Sequence, residues 1–413
     1  MTDKGERHYI QKRKREAFFY SIPFYLCRFF KVDKHKLVFW TFEGTGGYGD
    51  SPKYIAEEIL KRNREHRKPY KIYWLMTDTS KYMPPEIVKV RDTLWNRAYH
   101  MATAGCWVGN SRTFYGTKRR KKQRYIQTWH ADICLKPIGR YRGDKFPLIA
   151  DIVSKADSDL ITTVITGSEW AEKMYPKGLI YNRHMFRTGL PRFDVLLNER
   201  EKKYVEIRER YRVPLDARLL MYAPTFRGGS QQGKRKIMVE GSTVDFNGVI
   251  SALEKRFGGS WRIMLRLHPQ LAALKERLNV SDEIGHRIID VTQEPDMNEL
   301  LAASDAFLTD YSSAMFESML MYLPSFLYVD DLDEYMSDRG ILMFDLDELP
   351  FPWSKDNQGL IDNILHFDEE KYTQRVMKMI DENKIVIDGQ ASRKAVELIE
   401  SSIILYEQQV ENE

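Results

Sequence analysis

From residue 36 to residue 329, short apolar runs alternate with stretches of helical periodicity, and that alternation leaves few folds open. Lys36–Trp40 reads as a buried strand. Ser51–Arg62, with Ile55, Ile59 and Leu60 at helical spacing, reads as the helix that follows. Further strands are expected at Lys71–Met76, Ile87–Val90, Cys106–Gly109, Tyr125–Thr128 and Ile161–Thr166, with helices near Trp95–Thr103 and from Ser168. After a charged helix at Glu199–Tyr211 the pattern resumes, with strands at Leu219–Tyr222, Arg262–Leu267, Arg287–Asp290, Ala306–Thr309 and Ser325–Val329. The helices between them fall at Asp245–Phe257, Met297–Ala303 and Ser313–Tyr322.

Such alternation builds parallel sheets with helices on their faces. At 413 residues the chain exceeds the roughly 250–300 at which a single core stops growing. The expected fold class is α/β, with two Rossmann-like doubly wound domains facing a central cleft. The expected divisions are a basic aromatic segment over 1–35, a first domain over 36–195, a second over 196–390, and a C-terminal helix over 391–413 packing back on the first domain.

Sixty-four Lys and Arg against 59 Asp and Glu leave a net charge of only +5, so local patches matter more than the total. Three cysteines, Cys27, Cys106 and Cys134, are too few and too scattered for a disulfide framework or a zinc site, which points to a reducing, cytoplasmic setting. Near the N-terminus, Lys12-Arg-Lys-Arg15 leads into the aromatic run Ala17–Phe30. Pro23 and Arg28 interrupt that run, and it has neither the length of a transmembrane helix nor the cleavage site of a signal peptide. Two readings stay open: an interfacial anchor on an anionic leaflet, or a helix packed on the protein's own core behind a solvated basic lead-in.

Residues 305–320 pass from an apolar run through Tyr311, Ser312 and Ser313 into a helical pattern, a strand, turn and helix start of the kind that offers unpaired N–H groups to a phosphate. The alternative is that the serines only cap a helix. Two other strand ends carry suitable groups: Ala223-Pro-Thr-Phe-Arg227 supplies Thr225 and Arg227, and Arg266-Leu-His-Pro269 supplies Arg266 and His268. Strands of a parallel sheet share a carboxyl edge, so the three loops are expected to converge into a diphosphate cradle, with Thr309 at the strand end and Glu317 placed for ribose hydroxyls. Asp310 repels phosphate and suits capping or orienting an arginine.

In the first half, Glu43-Gly-Thr-Gly-Gly-Tyr-Gly-Asp50 matches the glycine spacing of a dinucleotide site but lacks the acidic residue about 20 positions on, so its glycines are read as allowing a ligand near the backbone. Lys118-Arg-Arg-Lys-Lys-Gln-Arg124 is a solvated loop or a polyanion surface. No nucleic-acid motif accompanies it, and nucleic acid is not expected as a partner. Gln127-Thr-Trp-His130 puts His130 at the carboxyl edge of the sheet, where open α/β sheets bind ligands.

As a set, these stretches resemble the CDP-glycerol glycerophosphotransferase family, the primases and polymerases of teichoic acid and related alditol-phosphate polymers. The matching residues are Tyr48-Gly-Asp-Ser-Pro-Lys53, Thr128-Trp-His130, Gly189-Leu-Pro-Arg-Phe-Asp194, Tyr222-Ala-Pro-Thr-Phe-Arg227, Leu267-His-Pro269, Thr309-Asp-Tyr-Ser-Ser313, Arg339-Gly340 and Asp388-Gly-Gln-Ala-Ser392. The resemblance implies a GT-B fold, His130 as catalytic base, and His268 with residues 309–313 around the nucleotide's phosphates. It puts Asp50, Asp132, Lys136 and Arg192 on the acceptor side. Where the family's Thr-Trp-His is followed by Gly-Thr-Pro-Leu-Lys, this chain has Ala131-Asp-Ile-Cys-Leu-Lys136, which leaves the acceptor and the donor's alditol open.

The implied reaction moves an alditol phosphate, glycerol phosphate foremost, from a CDP-alditol to a hydroxyl of a glycan or alditol-phosphate acceptor and releases CMP. Implied partners are that donor, a phosphate-rich or lipid-linked glycan acceptor and an anionic membrane surface, on the inner face of the cell membrane. No cofactor and no protein metal site are expected, although a divalent cation could assist. A GT-B glycosyltransferase using a nucleotide sugar and a non-enzymatic polyanion-binding protein are the alternatives.

Overall fold

A computed structural model describes residues 3–225, 243–267 and 285–411. The chain divides into two compact units. The first comprises Met1–Asp132, Ile138–Asp194 and Ile385–Glu413, and the second Ile133–Pro137 and Val195–Lys384.

Each unit is built on one parallel sheet. The first sheet contains β1 (Asp33–Trp40), β2 (Lys71–Met76), β3 (Val88–Arg91), β4 (Ala104–Gly109), β5 (Arg124–Gln127), β6 (Thr163–Thr166) and β7 (Met185–Arg187), in the order β3-β2-β1-β4-β5-β6-β7. Its central strands are buried on both faces, as their unbroken apolar runs require: Leu37, Val38, Phe39 and Trp40 are fully covered. The chain winds outward from β1 to β3 on one side and from β4 to β7 on the other. The topological switch point therefore lies between β1 and β4, and its carboxyl end is the position at which open α/β sheets bind ligands. Trp40 pairs in register with Gly109 there, and a Cβ at Gly109 would lie 2.3 Å from the indole, so only glycine admits the ring.

The second sheet contains β8 (Ala217–Tyr222), β9 (Ser260–Leu265), β10 (Ile288–Asp290), β11 (Ala306–Thr309), β12 (Ser325–Tyr328) and β13 (Trp353–Ser354), in the order β10-β9-β8-β11-β12-β13. Its switch point lies between β8 and β11. The alternation read from the sequence is thus the architecture of both units, and the α/β class of two Rossmann-like sheets is the one adopted.

Helix α1 (Asp3–Leu26) is an integral part of the first unit. It lays Ile10, Ala17 and Phe24 against the unit and contacts α3 (Leu94–Thr103). The basic run at 118–124 is not simply solvated. Arg120 donates to the carbonyls of Cys27 and Phe30, both at 2.8 Å, and Arg119 donates to Leu160 at 2.6 Å and to Gln123. Arg120 thereby ties the turn that leaves α1 to the loop before β5, and Arg119 ties that loop to the end of the segment before β6.

Two of the resembling motifs meet for a structural reason. The Asp194 carboxylate accepts the N–H groups of Ala391 (3.1 Å) and Ser392 (2.7 Å), capping the helix Ala391–Glu411. That helix packs on α2 (Asp50–His66), where Arg62 bonds Glu400 at 2.7 Å.

One expected element is much shorter than the sequence suggests. Instead of a helix over 313–322 there is a single turn, Met315–Ser318, followed by a 3₁₀ turn, Met319–Met321, that ends on Tyr322 with φ 54°. Pro324 follows immediately and β12 begins at Ser325, so the chain has no room for further turns.

Candidate functional site

Three loops of the first unit meet at the β1/β4 switch point: residues 41–50 after β1, 110–113 after β4, and 128–132 after β5. His130 stands among them. Its Nδ1 lies 3.0 Å from the Asn110 carbonyl oxygen, and because a carbonyl only accepts, Nδ1 carries the proton and Nε2 keeps its lone pair. The Asn110 side chain in turn accepts the Phe42 N–H at 2.8 Å, which locks the β1 loop to the β4 loop. Trp129 lies against the imidazole at 4.4 Å between ring centroids, and Phe42 at 5.7 Å. Burial pushes the His130 pKa below its ordinary value and outweighs the opposing pull of the Asn110 bond and the Asp50 charge. The result is a neutral imidazole with one nitrogen free to take a proton.

Backbone strain is concentrated around it. Among the described residues, nine non-glycine residues have positive φ, and four of them, Phe42, Glu43, Asp50 and Trp129, sit in these three loops. Such conformations cost on the order of 1–3 kcal/mol each and persist where the surroundings fix a particular geometry.

Two of the residues expected on the acceptor side are beside His130. Asp50 and Arg192 form an ion pair at 2.9 Å, with side chains 11% and 4% exposed, and both act electrostatically on the imidazole. Asp132 is different. It is buried, accepts the Gly167 N–H at 2.6 Å, and has its pKa pushed up to about 6 by desolvation. One of its carboxylate oxygens serves the turn after β6. Lys136 groups with the second unit, in the segment Ile133–Pro137.

The expected glycine loop also needs correction. The space a Cβ would take at Gly44 (φ 91°) is filled by the Asp92 carboxylate, with Oδ2 2.5 Å away, so this glycine permits internal packing rather than ligand approach. Asp92 is itself paired with the buried Arg97.

In the second unit the loops after β8 and β11 are joined by Asp310. Its two carboxylate oxygens accept the Thr225 N–H at 2.9 Å each, one accepts the Thr225 hydroxyl at 2.5 Å, and the same oxygen accepts the Tyr311 N–H at 2.5 Å. Asp310 is thus a capping carboxylate, one of the two roles expected of it: it clamps the switch point and takes the Thr225 hydroxyl. Thr309 and Tyr311 were expected to face a ligand, but both are fully buried. Thr309 donates to the Ala223 carbonyl at 2.7 Å, while Tyr311 donates to Asp331 at 2.9 Å and stacks on Tyr335 at 3.7 Å.

Ser312 and Ser313 remain partly exposed at the turn, and Glu317 is buried in the helical turn behind them rather than displayed on a helix face. Arg266 is half-buried and donates to the Glu294 carbonyl at 2.6 Å. Arg227 and His268 lie outside the described residues. Among the described residues no group of three or more His, Cys, Asp or Glu could hold a metal ion.

Asn110, Phe42 and Arg112 belong to the first site and were missed in the sequence. Part of their signal was available, because Phe42 and residues 110–112 each directly follow an apolar run that reads as a strand; that these two strands are neighbours emerged only in the sheet.

A family model described as CDP-Glycerol:Poly(glycerophosphate) glycerophosphotransferase matches residues 23–401. The chain is 29% identical over 394 residues to the teichoic acid poly(glycerol phosphate) polymerase of Staphylococcus epidermidis, covering 90% of this chain and 52% of that one. It thus spans about half the length of that relative. To the teichoic acid glycerol-phosphate transferase of Staphylococcus aureus it is 28% identical over 386 residues, covering 89% of this chain and 93% of the other. The wall teichoic acid polymerase TagF, in a variant soaked with CDPG, superposes with a TM-score of 0.77 at 24% identity over 100% of both chains, a likeness of fold.

Proposed function

The chain belongs to the CDP-glycerol:poly(glycerophosphate) glycerophosphotransferase family, and from that membership we propose that it transfers an alditol phosphate from a CDP-alditol to an acceptor hydroxyl in the synthesis of teichoic acid or a related cell-surface polymer. The observation that carries the reading within this chain is His130, held by Asn110 as a neutral imidazole with Nε2 free.

In the proposed step the acceptor oxygen attacks the alditol-bearing phosphorus. A new P–O bond forms, the bridging P–O bond to CMP breaks, and its electron pair leaves on CMP. The hydroxyl proton passes to Nε2 of His130. Phosphoryl transfer is chiefly positioning and charge stabilisation, so the second unit's role is to hold the diphosphate. Ser312 and Ser313, at a turn clamped by Asp310, are the described groups that suit it, and Arg227 and His268 are assigned to the same task from the resemblance. CDPG in the TagF variant supports this donor class, glycerol phosphate foremost.

The test is to incubate the full chain with CDP-glycerol, CDP-ribitol and several UDP- and GDP-sugars, with glycan and alditol-phosphate acceptors, and to identify the nucleotide released. CMP is the expected product. Release of UDP or GDP instead would make the chain a sugar transferase.

We further assign α1 to an anionic membrane surface. No described helix is long and apolar enough to cross a membrane. However, α1 and its C-terminal turn expose Phe18 (64%), Phe19 (60%) and Phe29 (88%) on the side away from buried Phe24, next to the basic lead-in. This is the pattern of an interfacial helix. Replacing Phe18, Phe19 and Phe29 by serine is expected to weaken binding to anionic phospholipid vesicles by at least about tenfold while the thermal melt stays put, since none of the three is in the core. Unchanged vesicle binding would remove the assignment. Deleting residues 1–30 is the poorer test, because it would uncover the surface that Phe24 and Cys27 pack against and remove the carbonyls that Arg120 holds.

A further inference from the structure

One cation at the first site has no task in the mechanism above. Arg112 follows β4 at the switch point, two residues after the Asn110 that fixes His130. Its guanidinium lies over the Trp129 ring at 5.3 Å, on the side chain that itself packs against the imidazole. Among the described residues Arg112 makes no hydrogen bond and no ion pair. The carboxylates that act on it at longer range are Asp157 and Glu43. Asp157 is occupied by the Thr113 N–H at 2.8 Å and hydroxyl at 2.6 Å, and Glu43 sits on the exposed, strained β1 loop. The other nearby arginine, Arg192, is already paired with Asp50.

A half-buried guanidinium that engages no protein acceptor keeps its N–H fork available, and that fork matches the oxygens of a phosphate. We propose that Arg112 holds a phosphate oxyanion beside His130 during transfer. The proposal rests on the reading of His130 as the base. The oxyanion has two sources with the same chemistry: a phosphodiester already present on the acceptor next to the attacked hydroxyl, or the transferring phosphoryl group of the donor. In the first case Arg112 selects acceptors that carry an alditol phosphate. In the second it stabilises the charge that develops at phosphorus.

The experiment uses the full chain, CDP-glycerol and two acceptors, one glycan bearing a terminal glycerol phosphate and the same glycan without it. CMP release is measured for the wild type, Arg112→Gln, and Arg112→Ala with and without millimolar guanidinium, alongside donor affinity and a thermal melt. A rise of at least about tenfold in KM confined to the phosphate-bearing acceptor assigns the acceptor phosphodiester. A fall of about 100-fold in kcat with both acceptors, restored in Arg112→Ala by guanidinium, assigns the transferring phosphoryl group. Wild-type kinetics in Arg112→Gln would overturn the proposal. So would a loss that neither distinguishes the acceptors nor responds to guanidinium, which would leave Arg112 as a prop for Trp129. A wild type that releases no CMP from any combination would instead refute the transferase reading itself.

Discussion

His130→Ala is expected to fold, to bind a CDP-alditol with near-normal affinity, and to lose turnover by roughly 100- to 10,000-fold, the range for removal of a positioned general base. The two carboxylates nearest in the reading of the sequence are already engaged. Asp132, two residues on, is the obvious substitute by sequence, but its carboxylate is turned into the fold toward Gly167. Asp50 is engaged by Arg192. The pH profile supplies a second reading of the same residue. Because burial disfavours the imidazolium, the neutral base persists to lower pH than in a free histidine, and the acid limb of kcat/KM should have its midpoint below roughly 6.5. Single-turnover rates and donor affinity for the folded variant check the first expectation, and wild-type rates between pH 4.5 and 8 check the second. Near-normal turnover of His130→Ala at neutral pH would make this a structural histidine.

Asp310→Ala should be the most damaging single change in the second unit. The carboxylate is buried and is the acceptor for two backbone N–H groups and one hydroxyl, all on the loops that flank the β8/β11 switch point. Removing it strands those donors, at about 1–3 kcal/mol for the buried Tyr311 N–H and less for each part-buried Thr225 group. A total of about 3 kcal/mol or more should lower the melting temperature by around 10 °C in a unit of this size. CDP-alditol affinity should fall with it, because Thr225 and the turn carrying Ser312 and Ser313 lose their common anchor. Asp310→Asn keeps one acceptor oxygen and should fall between the two. Calorimetry and equilibrium donor binding on both variants are the check; an unshifted melt for Asp310→Ala would show that the clamp contributes little.

The strand-helix alternation carried the fold because periodicity is a local property, and long buried runs such as Leu37–Trp40 and Leu219–Tyr222 announce themselves. What escaped was either too short or too dependent on distant partners. β7 and β13 are edge strands of three and two residues, below the length at which a pattern can be seen. The basic run at 118–124 read as a solvated loop or a polyanion surface, and the internal role of Arg120 was hidden because the carbonyls it holds come from Cys27 and Phe30, some 90 positions away.

The site shows the same division. His130 could be placed at a strand's carboxyl edge from sequence, whereas its tautomer depends on Asn110 and could not. Thr309 and Tyr311 lie in a stretch that reads as a ligand-facing turn, yet the strand keeps Thr309 inside and Asp331 with Tyr335 draws Tyr311 inward. Sequence spacing placed the turn between β11 and the helical residues and could not say which of its hydroxyls would be left at the surface.

The central claim is that an alditol phosphate, and not a sugar or a bare alditol, is transferred. CDP-glycerol carrying radioactive phosphorus in the phosphate next to glycerol tests it directly when the full chain is supplied with an acceptor and the products are separated. The account requires the label to appear in the acceptor as a phosphodiester, in step with unlabelled CMP. Label retained in the nucleotide product as CDP, with the acceptor gaining only glycerol, would contradict it.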